Sequence, residues 1–187
     1  MVDAKAKALT QLTDQGASGN EFTGREPNWS PDGGLIEFQR LVRVDGDIRS
    51  ELFVVNEDGT DEQMILDATD NFGVYDVDWS PDGTRLAAVY HPVDPPTAAL
   101  LTLAADGSDL TTIALCENGK DQDGLCPPND GRVEWSPDGK LLAFANYADT
   151  GRSITLLALD GRAVTIPAEA SLTSSLSWQP GPLAGNP

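Results

Sequence analysis

The sequence predicts an all-β fold, and three observations support this prediction. The pentapeptide Trp-Ser-Pro-Asp-Gly occurs at Trp29–Gly33, Trp79–Gly83 and Trp135–Gly139, and a degenerate copy begins at Trp178. Each complete copy is followed by an apolar run, and each run is followed by a second Asp-Gly pair. The copies recur at intervals near the roughly 40–50 residues of a propeller blade. We therefore expect a β-propeller arc of three complete four-stranded blades with partial terminal strands.

Each repeat unit predicts its own strands and turns. Proline presets φ in the corner, aspartate bonds nearby amides, and glycine accepts a positive φ. Second strands are expected at 35–40, 85–90 and 141–146, third strands at 51–56, 99–103 and 154–159, and fourth strands at 63–66, 110–115 and 163–166. The predicted blades span about 26–66, 74–115 and 131–166, with partial terminal strands at 8–13 and 172–178.

The recurring corner, the apolar strand after it and the strand ending in Asp-Gly resemble the repeat of the TolB-type β-propellers, which are WD-repeat-like. The resemblance covers the chain from Leu9 to Pro180. It implies a non-enzymatic binding scaffold in the periplasm or outside the cell, or a propeller domain attached to a peptidase. A cytoplasmic protein is the alternative. The motif residues are expected to be structural, because the repeat contains no catalytic group.

The two ends of the predicted arc leave three outcomes open. The chain is a fragment of a longer propeller, a unit that self-associates to close a ring, or a stable open arc. Blades two and three carry small apolar residues where blade one has Glu37 and Gln39. Because alternate strand residues face opposite sides of a sheet, one face of blade one is expected to be solvated. The alternative is that a partner blade, from a second chain or a missing segment, covers this face through polar contacts.

The charge balance narrows the classes of partner. The chain has 30 acidic and 12 basic residues and a net charge of −18. Such a surface repels nucleic-acid phosphates and anionic lipid, so neither is expected as a partner. It suits a basic protein patch or a divalent cation, or it serves solubility alone. No apolar run is long enough for a membrane helix, and residues 1–10 lack the apolar core of a signal peptide.

Long connections on one side of the predicted blades are the expected place for binding residues. These loops are predicted at 43–49, 68–75, 91–97, 115–131, 147–152 and 167–171. Arginine and aromatic side chains are common at interaction hot spots. The candidate partner-binding residues are Arg43, Arg49, Phe72, Tyr75, Tyr147 and Arg152. Ordinary solvated loops are the alternative.

Acidic residues next to the repeated tryptophans form a second candidate site. Asp76, Asp78 and Glu134 fall on the opposite side of the first strands from the tryptophans, which predicts that they line the central channel. Converging carboxylates are hard oxygen ligands that Ca²⁺ accepts. A carbohydrate ligand in the channel, or a channel that holds only water, is the alternative, and no other cofactor is expected.

Enzymatic motifs are missing from the sequence. His91 is the single histidine, and the chain has neither a Gly-x-Ser-x-Gly elbow nor a glycine-rich phosphate loop. Cys116 and Cys126 bracket a polar stretch and are expected to form a loop disulfide in an oxidising compartment.

Overall fold

The computed structural model is an all-β structure. It describes residues 11–13, 21–67, 71–92, 98–116, 132–148, 151–168 and 178. Within these ranges twelve strands form three separate four-stranded antiparallel sheets, and there is no helix. The described residues accordingly offer no helix of the length and apolarity that a membrane crossing requires. The predicted fold class, an open arc of three blades, is confirmed.

The strands follow one another along the chain, and each sheet uses four consecutive strands. Blade one contains β1 (Glu21–Trp29), β2 (Leu35–Val44), β3 (Asp47–Asn56) and β4 (Gln63–Leu66). Blade two contains β5 (Asn71–Trp79), β6 (Arg85–Pro92), β7 (Ala98–Ala104) and β8 (Thr111–Cys116). Blade three contains β9 (Val133–Trp135), β10 (Leu141–Ala148), β11 (Gly151–Ala158) and β12 (Ala163–Ala168).

The repeated corner joins the first and second strands of every blade. In blade one the Ser30 hydroxyl donates to Asp32 Oδ1 at 2.7 Å and accepts the Leu35 amide at 2.9 Å. Gly33 closes the turn at φ +76°, a conformation that glycine adopts without steric cost. The Ser30 hydroxyl and the Gly34 amide both donate to Asp32 and keep its pKa below the ordinary value, so the corner carboxylate is ionised at neutral pH. The same corner recurs at Ser80 and Ser136.

In blades two and three, the repeated tryptophan packs between its own blade and the preceding one. Trp79 shares a buried cluster with Leu52 and Val54 of blade one and with Leu86 and Leu103 of its own blade. Trp135 lies in the corresponding cluster between blades two and three. Trp79 and Trp135 are 4% and 5% exposed, whereas Trp29 is 52% exposed. The two tryptophans that follow a complete blade of the described structure are therefore the buried ones.

A short N-terminal segment lies against the free face of blade one. Leu12 packs on a cluster that includes Phe38 and Phe53. A Cβ added at Gly59 would lie 2.7 Å from the Leu12 carbonyl oxygen. A Cβ added at Gly107 would lie 3.1 Å from the carbonyl oxygen of Ile65, which is on β4. Residues 11–13 therefore lie against blade one as β4 lies against blade two, which is the position of an outermost strand.

The prediction that one face of blade one is exposed to solvent is wrong. Glu37 and Gln39 are both buried. Their face of β2 is directed toward blade two, because the apolar residues of opposite parity, Ile36 and Phe38, belong to the cluster on the free face. Gln39 accepts a hydrogen bond from the Ser50 hydroxyl at 3.2 Å. Blade two of the same chain thus covers these polar side chains with apolar residues, whereas the alternative expected polar contacts from a blade of a second chain or a missing segment.

Candidate functional site

Two of the predicted binding residues lie on strands rather than in a loop. β2 and β3 are paired up to Val44 and Asp47, so only Asp45 and Gly46 connect them. Both turn residues have positive φ, at +53° and +94°, as a two-residue hairpin requires. Arg43 and Arg49 consequently belong to the hairpin, where Arg43 is exposed and Arg49 is buried. The prediction of a loop at 43–49 is therefore wrong.

The other four candidates also lie on strands. Tyr147 and Arg152 are cross-strand partners on β10 and β11, so the predicted 147–152 loop is a hairpin. Phe72 and Tyr75 lie on β5, which begins at Asn71, so the predicted 68–75 loop extends no further than residue 70. Among these four, the structure describes the side-chain position of Tyr75.

All six candidates occur at the same ends of the blades. The end of each second strand, the start of each third strand and the start of β5 share one face because neighbouring strands are antiparallel. We call this surface, represented by Arg43, Ile48, Tyr75 and His91, the hairpin face. Ile48 and Tyr75 are 50% and 46% exposed. Sequence reasoning missed Ile48, which the Asp45-Gly46 turn places at the tip of the hairpin.

Tyr75 is held in a defined orientation on the hairpin face. The register between β5 and β6 shifts at Val74 and Asp76, so Tyr75 lies in a bulge. Bulges redirect a side chain and are frequent at functional sites. The Tyr75 ring meets the His91 ring edge-on, with centroids 4.6 Å apart. Burial lowers the pKa of His91, so the imidazole beside Tyr75 is neutral near pH 7.

The carboxylates on the inner strands join one blade to the next. Asp76 Oδ2 accepts the Val133 amide at 2.7 Å, and Asp78 Oδ2 accepts the Trp135 amide at 2.7 Å. Glu134 in turn accepts the backbone amide of Trp178. Two carboxylates on β5, the first strand of blade two, therefore bond the backbone of β9, the first strand of blade three. We call Asp76 and Asp78 the interblade clasp.

The clasp gives the predicted calcium ligands another role. Asp76 and Asp78 use an oxygen each to bind backbone amides of blade three. Across the part of the chain that the structure describes, no group of three or more acidic, histidine or cysteine side chains is arranged to hold a metal ion. The calcium interpretation of Asp76, Asp78 and Glu134 therefore gains no support from the geometry.

The carboxyl groups near the clasp have unusual proton affinities. Burial, followed by repulsion from Asp76, Asp78 and Glu26, raises the pKa of Glu37 to about 9. Burial likewise raises the pKa of Asp76 to about 7, although the Val133 amide and Arg132 oppose the increase. Glu37 is consequently neutral at pH 7, and Asp76 titrates in that range.

The predicted disulfide and the terminal strands fall largely outside the described ranges. Cys116 ends β8, and Cys126 lies outside the described residues. Residues 8–10 and 172–177 also lie outside them. The disulfide and the two terminal strands stay predictions.

Comparisons with known proteins agree with the fold. The sequence model of the family described as eukaryotic translation initiation factor eIF2A matches residues 42–182. No curated protein matches the chain. Solved β-propellers do match, and three of them share 12%, 14% and 16% identity with the chain, which supports the fold alone.

Three solved structures illustrate the similarity. A putative dipeptidyl aminopeptidase IV from Bacteroides ovatus matches with a TM-score of 0.63 and 16% identity over 80% of this chain and 26% of its own. TolB from Acinetobacter baumannii matches with a TM-score of 0.57 and 14% identity over 80% of this chain and 33% of its own. The β-propeller domain of the Trilobed protease from Pyrococcus furiosus matches with a TM-score of 0.55 and 12% identity over 78% of this chain and 43% of its own. The chain thus spans less than half of each of these structures.

Proposed function

The chain belongs to the eukaryotic translation initiation factor eIF2A family, and from this premise we propose that it is a non-catalytic propeller module that binds protein partners through the hairpin face. The observation that carries the proposal is the exposed Tyr75 ring, held by His91 on a rigid sheet. A preoriented aromatic side chain loses little conformational entropy when a partner covers it.

Neighbouring side chains on the hairpin face have the chemistry of an interface. Ile48 offers an exposed apolar side chain at the hairpin tip. Arg43 Nη1 donates to the Gly46 carbonyl oxygen at 3.2 Å, which places the guanidinium beside the same turn. Aromatic and arginine side chains are enriched at hot spots, and apolar contacts surround them in protein interfaces.

The net charge of −18 favours partners with a basic or neutral contact surface. The family name concerns translation initiation, and under this proposal a member with this charge acts there through proteins rather than by binding RNA phosphates. A role without catalysis is consistent with the single histidine, whose imidazole packs against Tyr75.

The compartment is also part of the proposal. The repeat resemblance favours the periplasm or the extracellular space, whereas a role in translation initiation requires the cytoplasmic alternative. A disulfide between Cys116 and Cys126 would be the chemical mark of an oxidising compartment.

Substitutions on the hairpin face are expected to weaken partner binding. We expect the double substitution Tyr75→Ala and Ile48→Asp to lower the affinity for each captured partner at least tenfold. Each hot-spot side chain contributes more than about 1 kcal/mol to the binding free energy. Quantitative crosslinking with the purified chain, followed by affinity measurement on the identified partner, checks this. Leu110→Asp is the matched control, because Leu110 is 54% exposed but lies at the opposite ends of the strands. Equal binding by the double variant and the control would reject the hairpin face.

A further inference from the structure

The contact between blades one and two differs chemically from the contact between blades two and three. Trp29 pairs with Ile36 and Trp79 pairs with Leu86, so Glu37 of blade one is equivalent to Ala87 of blade two. By the same register Gln39 is equivalent to Val89. All four of these second-strand residues are buried. Blade one therefore presents a carboxyl and an amide to its neighbour where blade two presents hydrocarbon.

Glu37 is an unusual group to bury at such a contact. Its residue exposure is 1%, and its Oε2 atom is buried without a hydrogen-bond partner among the described residues. Its cross-strand neighbours are Asn28 on β1 and Val54 on β3, neither of which carries charge. A buried carboxylate in this position would lack the hydrogen bonds that compensate for lost hydration.

The charged groups that act on Glu37 are all acidic. Asp76 and Asp78 on β5 and Glu26 on β1 each repel a negative charge at Glu37. From blade three, Glu134 repels Asp78, and the cation Arg132 acts on Asp76. The β3 side contributes the apolar residues Leu52 and Val54 and the Ser50 hydroxyl that bonds Gln39. The surroundings thus disfavour an ionised Glu37 from every packed element.

We propose that the contact between blades one and two is a proton-operated joint, which stays closed while the buried Glu37 carboxyl is neutral and opens when that carboxyl loses its proton. Deprotonation would leave an unpaired charge between buried apolar side chains, and separation of the blades rehydrates it. Blades two and three lack an equivalent carboxyl, because Ala87 and Val89 fill those positions, so their contact stays closed.

The direction of the pH dependence follows from linkage. The pKa of Glu37 is raised from 4.5 to about 9 in the closed state by burial and by the neighbouring acids. The closed state therefore binds the proton more tightly than the open state, and its stability falls as pH rises between those values. Asp76, whose raised pKa is about 7, contributes in the same direction but only at lower pH. Substitution of Glu37 separates its contribution from that of the other acidic groups.

Hydrogen exchange of the full chain between pH 7.5 and 8.5 tests the joint, with protection factors corrected for the intrinsic exchange rate. We expect protection of the Trp79 indole N–H, which donates to the Asn28 carbonyl oxygen across this contact, to fall about tenfold over this unit of pH, as release of one proton requires. Glu37→Gln keeps a neutral side chain of the same shape and is expected to remove the dependence. Glu37→Ala reproduces the residue of blade two and serves as the second variant.

Two results would overturn the joint. One is a wild-type dependence that persists unchanged in both Glu37 variants. The other is a loss of protection that spreads equally over β9, β10 and β11, because that outcome reports global unfolding rather than separation of blade one from blade two.

Discussion

Replacing Trp79 with alanine is expected to lower the free energy of unfolding by about 3–5 kcal/mol, as for other large buried aromatic residues. The side chain is buried between two blades, and its Nε1 donates to the Asn28 carbonyl oxygen at 3.3 Å. The substitution removes apolar contacts on both sheets and leaves a cavity that rigid sheets fill poorly. Urea denaturation followed by circular dichroism measures the change.

Trp29→Ala provides the matched control for Trp79→Ala. Both tryptophans begin the same corner sequence, so the local change is identical, but Trp29 is mostly exposed. We expect a cost of about 1 kcal/mol or less at Trp29, as for partly exposed side chains. Equal costs at the two positions would contradict the role of the tryptophan as a wedge between blades.

Asp78→Ala is expected to destabilise the protein by about 2–3 kcal/mol, because it removes a charge-assisted hydrogen bond and leaves the buried Trp135 amide without an acceptor. Asp78→Asn keeps an oxygen that accepts this amide and is expected to cost less than half as much. Burial raises the pKa of Asp78, so both variants are compared with the parent protein at the same pH, on the alkaline side of neutrality. Denaturant unfolding of both variants measures the difference.

Asp47→Ala controls for the loss of one acidic side chain, because Asp47 is exposed at the start of β3. Its expected effect lies within about 0.5 kcal/mol, as for ordinary surface positions. If Asp47→Ala and Asp78→Ala cost the same, the clasp does not hold the blades together.

Local sequence signals predicted the blades well. The corner sequence determines its own hydrogen bonds within six residues, from Ser30 to Leu35, so it is readable without tertiary information. The Asp45-Gly46 pair is an equally local signal for a hairpin turn. The prediction of a loop at 43–49 did not use this turn signal, and it therefore did not identify Ile48 as an exposed residue.

The candidate site could be predicted only in part. Sequence parity placed Asp76 and Asp78 together on the inner strand, but their partners belong to another blade, at Val133 and Trp135. Contacts between blades produce no periodic pattern in the sequence of a single strand. The role of the two aspartates as hydrogen-bond acceptors therefore could not be predicted from the sequence. The burial of Glu37 was missed for a related reason, since a polar residue alternating with apolar ones ordinarily predicts a solvated face.

The central claim is that the three sheets pack face to face as successive blades, each wedged by its tryptophan. Nuclear Overhauser effects from the Trp79 indole to the methyl groups of blade one test it most directly. The structure predicts cross-peaks to Leu52 and Val54, which share the buried cluster with Trp79. Cross-peaks confined to residues of blade two, such as Leu86 and Leu103, would show that blade one does not pack there.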